Sequence, residues 1–196
     1  MVKIFFYTVD INDKIKHTDQ DLQKFTDIIK TILNDKNAWS KYFDVQFCCL
    51  GSNNEQYDKY FGKDILHIYL TPEDDIVKEC QFNGLSCYTY IKNEIYFNYN
   101  NWMNESPKFL SKFKQSLDGY RRYLVLHEVG HALGLGHLDA KKFDGLPAPI
   151  MSQQTKGIYN AIPNLNITLY DVFGTKRIFD NGFVLKDKYM KKLNLI

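Results

Sequence analysis

A mixed α/β sheet domain is the fold class that the sequence predicts, on three observations. Strand-like apolar runs alternate with amphipathic helical patterns in the order strand, helix, strand, strand, hairpin, helix. No repeat of fixed period, low-complexity stretch or Gly/Ser/Pro linker divides the 196 residues, a length that suits one domain. The regular pattern stops at Gly134, after which the chain reads as a smaller, mostly irregular lobe. The expected organisation is a single unit over 1–196, with a sheet-and-helix lobe at 1–134 and a C-terminal lobe at 135–196.

Residues 3–9 are almost continuously apolar, as expected of a central strand covered on both faces. Thr18-Asp19-Gln20-Asp21 offers a capping start, and Leu22, Phe25, Ile29, Ile32 and Leu33 follow at helical spacing on one face. Residues 42–50 and 65–70 read as strands. Residues 88–91 and Glu94–Asn98 read as two strands joined at Lys92-Asn93. Pro107, after the cap residue Ser106, opens a short helix carrying Phe109, Leu110, Phe113 and Leu117. A second helix runs from Tyr120 to Leu133, a loop rich in Gly and Pro covers 145–149, and 169–179 forms one more helix.

Composition excludes several classes of function. Hydrophobic residues make up 44% and charged residues 24%, and 14 Tyr with 14 Phe supply core bulk, so disorder is excluded. A net charge of +2, from 25 basic against 23 acidic side chains, argues against a nucleic-acid partner, which wants clustered Lys and Arg. No apolar run approaches the roughly 18 residues of a membrane span. The first residues read as a strand and not as a signal peptide, so the expected location is intracellular, or secreted if an upstream segment was removed. A monomer is expected. Cys80 and Cys87 could close a small loop, but four cysteines are too few for a disulfide scaffold, and four free thiols are expected.

One segment carries the chemistry: His127-Glu128-Val129-Gly130-His131-Ala132-Leu133-Gly134-Leu135-Gly136-His137, with the skeleton H-E-x-x-H-x-x-G-x-x-H. Residues four apart on a helix share a face, so His127 and His131 can aim at one ion. Glu128 lies about 100° round the helix, poorly placed as a third ligand but suited to hold a water beside the metal. Gly134 can adopt a left-handed conformation without Cβ penalty, end the helix and turn the chain back. That turn can bring His137 to the third ligand position, with a fourth left for water, as in catalytic zinc sites. Five such fixed positions match by chance in roughly 5 sequences per million, and three of the chain's five histidines fall within eleven positions.

The segment resembles the zinc-binding signature of the metzincin metallopeptidases, and its wording is closest to that of matrixins. The resemblance implies a methionine in a tight turn beneath the metal, and Pro149-Ile150-Met151-Ser152 fits, fourteen residues after His137. Residues 119–123 before the signature and 147–155 after it are similar to a group of small predicted bacterial metzincins, the likeness covering about 117–157. Leu138-Asp139 stands where matrixins carry Ser or Thr, and Gln153 occupies the position of the Met-turn tyrosine of astacin-like members.

The resemblance implies a zincin-like fold: a twisted mixed sheet with helices, an active-site helix, and a small C-terminal lobe with the Met-turn and a C-terminal helix. It implies one catalytic Zn2+ on His127, His131 and His137, Glu128 as general base and Met151 as support from below. The expected activity is hydrolysis of peptide bonds, most naturally as an endopeptidase. An extended protein or peptide partner would lie along the sheet edge, Glu94–Asn98 or its partner 88–91, with 145–158 shaping the pocket beyond the cleaved bond. The alternatives are a non-catalytic zinc-containing binding module, against which Glu128 speaks, or a zinc hydrolase of another amide bond.

Lesser candidates have plain readings. His67, on an alternating strand, is expected to be structural, and His17 exposed. Tyr159 is a weak candidate for an oxyanion donor. Arg121 or Arg122 is expected to pair with a carboxylate such as Asp118 or Asp139, and no loop pattern makes Asp139 and Asp144 a calcium site.

Overall fold

The computed structural model of the chain describes residues 2–53, 57, 65–81, 84–104, 116–178 and 182–192. It is a mixed α/β fold around a five-stranded sheet. The strands are β1 (Lys3–Ile11), β2 (Val45–Cys49), β3 (Leu66–Thr71), β4 (Cys87–Thr89) and β5 (Glu94–Asn98), in the order β2-β1-β3-β5-β4. All pairs are parallel except β4 with β5. The apolar run at 3–9 is therefore central, with Tyr7 and Val9 fully buried. Residues 42–50 form a shorter strand than expected, because Trp39–Lys41 makes a 3-10 turn and 42–44 follow it.

Helix α1 (Asp19–Leu33) begins as the capping signal predicts. The Thr18 side chain accepts from the Asp21 amide, and the Asp21 carboxylate accepts from the Thr18 amide at 3.0 Å. Phe25, Ile29, Ile32 and Leu33 are buried, each contributing about 1.5–3 kcal/mol. Helix α2 (Glu73–Cys80) covers β4 and β5 with Ile76 and Cys80, which cluster with Cys87 and Tyr96. Along β5, Tyr96 joins this cluster while Ile95 and Phe97 join the main core, the two-residue alternation of a strand buried on both faces.

Cys80 and Cys87 form a disulfide, which corrects the expectation of four free thiols. Cys48 and Cys49 are the free pair. The ends of α2 and β4 come together through folding, and the count of cysteines says nothing of that proximity. The hairpin forms, but its first strand is Cys87–Thr89 and not 88–91, so the turn spans 90–93; Asn93 takes a left-handed conformation at φ 56° and its side-chain amide donates to the Ile65 carbonyl at 2.8 Å. Of the two candidate edges, β4 is the one that lies at an end of the sheet, opposite β2. Strand β5, offered as one of two candidate edges, is flanked by β3 and β4 and is interior.

Helix α3 (Tyr99–Asn104) follows β5 directly, and the helix expected at Pro107 lies outside the described residues. Helix α4 (Leu117–Ala132) starts three residues earlier than the expected Tyr120, because the Ser116 side chain caps it by accepting from the Gly119 amide at 3.3 Å. It is buried nearly all round, from Tyr120 to Ala132, as a helix passing through a core must be.

Beyond it come a 3-10 turn (Ala140–Phe143), α5 (Leu169–Phe173) and α6 (Asp187–Lys192), joined by irregular chain. Helix α5 is shorter than the expected 169–179. The return to the first lobe is made by backbone bonds, Asp44 N–H to the Val184 carbonyl and Lys186 N–H to the Tyr42 carbonyl, both 2.9 Å. No described helix is long and apolar enough to cross a membrane.

Candidate metal centre

Helix α4 carries His127 and His131 one turn apart, and Gly134 ends it. Gly134 takes φ +87°, its amide donates to the His131 carbonyl at 2.8 Å, and the Leu135 amide donates to the Gly130 carbonyl at 3.0 Å. This left-handed turn reverses the chain, and the Leu138 amide then donates to the Met151 carbonyl at 3.0 Å. His137 is thereby brought back over the helix.

The three Nε2 atoms converge. His127 and His131 are 3.3 Å apart, His127 and His137 3.3 Å, and His131 and His137 3.0 Å. Among the described residues this is the cluster of side chains able to hold a metal ion. The tautomers are set by the other ring nitrogen. His127 Nδ1 lies 2.7 Å from the Ile150 carbonyl and His131 Nδ1 2.8 Å from that of Leu135. A carbonyl only accepts, so both Nδ1 atoms carry the proton and both Nε2 atoms present lone pairs. Burial lowers the pKa of all three rings, that of His137 to about 4 with help from His131 and Lys156.

The two converging lone pairs of His127 and His131 repel unless a cation, or a proton on His137 Nε2, lies between them. Ligand atoms about 2.1 Å from one tetrahedral ion stand about 3.4 Å apart, close to the spacing found. The donor set therefore fits a divalent ion that takes imidazole, and the carbonyl partners on Nδ1 are the usual orienting groups of such ligands.

Glu128, adjacent to His127, is buried, and its carboxyl is pushed up to about 8 by burial, against which the Tyr88 amide donates a hydrogen bond. That amide belongs to β4, so the edge strand and the carboxylate are directly linked. A cleft of about 260 Å³ opens beside the imidazoles, with Leu85–Tyr88 on one side and Gln153, Thr155 and Lys156 among its other lining residues.

Met151 is fully buried, and its sulfur lies against Gly130, where a β-carbon would collide with it and stand 2.9 Å from Trp39 Cζ2. Sequence reasoning singled out Met151 but missed what holds it. Asp171, fully buried, accepts the Met151 amide at 2.7 Å on Oδ1 and the Thr168 amide and hydroxyl at 2.7 and 2.8 Å on Oδ2. The signal was present, since Thr168-x-x-Asp171 is a capping box at the start of α5. Tyr123 was missed as well: its hydroxyl donates to the Ser152 carbonyl and accepts the Gln154 amide, both at 3.0 Å.

The lesser candidates sort out plainly. His67 is buried and paired with the Thr8 hydroxyl at 2.8 Å. His17 is half-buried, with Nδ1 donating to the Ile15 carbonyl. Tyr159 is exposed at a left-handed position, sits under Lys141 and does not line the cleft. Arg121 pairs with Asp118 at 3.5 Å and Arg122 with Asp35 at 2.8 Å, while Asp139 caps the 3-10 turn through the Lys141 amide.

No curated protein and no solved structure matches the chain. The family described as Protein of unknown function (DUF3152) matches residues 1–173, most of the chain's length, and the chain belongs to that family.

Proposed function

We propose that the chain is a zinc-dependent peptidase of the metzincin type. The observation that carries the reading is the convergence of three imidazole Nε2 atoms at 3.0–3.3 Å, two with their tautomer fixed by backbone carbonyls. A buried carboxyl, Glu128, sits beside them in the same cleft. A purely structural zinc site has four protein ligands and no use for that group.

Zinc held by His127, His131 and His137 would supply Lewis acidity to a scissile carbonyl and acidify a water. Glu128 takes the water proton as general base and hands it to the leaving amine. The Tyr88 amide orients that carboxylate and favours its charged form. The peptide lies extended along β4, the sheet edge nearest α4, where main-chain bonds hold it. Met151, behind Gly130, keeps the two helical ligands in register. The parallel sheet with one antiparallel edge strand, the ligand helix ending at Gly134 and the methionine turn all agree with a zincin-like fold.

The test is elemental analysis of wild type and His131→Ala, followed by a peptide library. One zinc per chain, lost in the variant, with cleavage abolished by Glu128→Gln while zinc stays, is the expected result. Protein that holds no zinc when prepared without chelators would sink the reading. Zinc without cleavage of any peptide would leave a binding module.

A further inference from the structure

The Cys80–Cys87 disulfide joins the last residue of α2 to the first residue of β4. With Ile76 and Tyr96 the two cysteines form a small apolar cluster of their own. The buried apolar residues of α4, and Met151 beneath them, belong to the main core instead. The bridge therefore secures the sheet edge and not the body that carries the three imidazoles. Cys80 is 7% and Cys87 9% exposed, so the bridge lies just under the surface, and any fraying of the edge uncovers it further.

Strand β4 has little else to fix it. It is three residues long and pairs with β5 alone, in the register Cys87 to Tyr96, Tyr88 to Ile95 and Thr89 to Glu94. The chain just before it is held by hydrogen bonds. The Asn98 amide donates to Ser86 Oγ at 3.2 Å, and the side-chain amides of Asn98 and Asn101 donate to the Gly84 carbonyl at 3.2 and 2.6 Å. A strand so short, with one neighbour, belongs to the easily opened part of a fold. Yet Leu85, Ser86, Cys87 and Tyr88 form one side of the cleft, so its shape depends on where this strand lies.

We propose that the Cys80–Cys87 bridge is a redox gate on the cleft: intact, it holds β4 ready to pair with an extended peptide, and its reduction loosens β4 and weakens peptide binding while the metal centre stays whole. The inference rests on the peptidase reading in taking a peptide as the ligand. The reductant is a dithiol. One of its thiolates attacks a bridge sulfur, and the other bridge sulfur leaves as a thiolate and is protonated. The second thiol of the reductant then resolves the mixed disulfide, so the bridge gains two electrons and two protons and the reductant ends as a cyclic disulfide. The bonds from Asn98 and Asn101 keep the 84–86 segment in place, so the two thiols stay within range and a disulfide oxidant restores the bridge.

The experiment uses full-length chain, oxidised or reduced with dithiothreitol, desalted without oxygen and reloaded with zinc. Two probes are titrated calorimetrically: a hydroxamate-capped peptide long enough to lie along β4, and acetohydroxamate, which reaches the metal alone. Reduction should weaken the peptide probe about tenfold and leave acetohydroxamate within about twofold. Amide hydrogen exchange at 87–89 should quicken by a similar factor, with that of 123–132 unchanged. Cys80→Ser/Cys87→Ser should behave as reduced wild type and ignore dithiothreitol, and reoxidation of wild type should restore tight binding.

Zinc content and melting temperature, measured in each state, separate a gate from a general loss of structure. Equal peptide binding in both states, no peptide binding in either, zinc lost on reduction, or a double variant that binds as oxidised wild type would overturn the inference. Cleavage of a peptide pool is measured separately. Redox-dependent peptide binding without cleavage removes the peptidase reading and leaves the gate, and cleavage at one rate in both states does the reverse.

Discussion

Asp171 Oδ1 accepts the backbone amide of Met151 at 2.7 Å, across twenty residues of chain, with both groups fully buried. The same carboxyl caps α5 through Thr168. One side chain therefore starts a helix and holds the methionine turn, so the floor of the candidate site and the C-terminal lobe form one unit.

Asp171→Ala should destabilise the chain by roughly 3 kcal/mol, because it strands a buried amide at Met151 and two donors at Thr168. Asp171→Asn keeps an acceptor and should cost less. Urea denaturation with zinc present and absent checks both, and an alanine variant as stable as wild type would contradict the assigned role.

Gly130 is the second support. A β-carbon there would overlap the Met151 sulfur and crowd Trp39, whose indole N–H donates to the Leu126 carbonyl at 3.0 Å and so has little freedom to yield. Gly130→Ala should therefore cost about 1–3 kcal/mol and weaken metal retention by shifting His127 against His131. A variant that melts with wild type and holds a full complement of zinc would refute this.

The Cys80–Cys87 disulfide ties α2 to the edge strand whose Tyr88 amide meets Glu128. Closing so short a loop is worth about 2 kcal/mol on chain-entropy grounds. Thiol titration of unfolded, unreduced protein should count the two free cysteines, 48 and 49, and four after reduction. The reduced protein should melt earlier, and four thiols before reduction would exclude the bridge.

Acidification should destabilise the metal-free chain in a defined window. Burial, then the charges of His131 and Lys156, bring His137 from 6.5 down to about 4, and burial lowers His127 and His131 as well. The unfolded chain takes up these protons near 6.5 and the folded chain only at lower pH. The contribution to stability is therefore complete above about pH 6.5 and is lost as pH falls towards about 4. Metal loading needs the same neutral rings, so zinc release should fall in this window too. Thermal melts of metal-free wild type and His137→Gln check it: wild type should lose stability more steeply on acidification, and parallel curves would acquit His137.

Local chemistry made much of this protein legible. The capping box at Thr18, the apolar run at 3–9, the Asn93 turn, and the spacing of His127, His131, Gly134 and His137 are all decided within a few residues by sterics and helical geometry, and each is found where the sequence placed it. The sheet edge beside the cleft and the pairing of the cysteines were not legible. Which of β4 and β5 is the edge depends on β5 pairing with β3, and whether Cys80 meets Cys87 depends on how α2 packs against β4 and β5.

The sequence by itself determined the alternation of strands and helices and the residues able to converge on one ion, because both follow from periodicity along a single element. Tertiary structure alone decided that Asp171 supports Met151 and that Tyr88 lends its amide to Glu128. These are contacts between elements 20 to 40 residues apart or on opposite walls, where no local period carries information and only the packing of the whole core sets the distance.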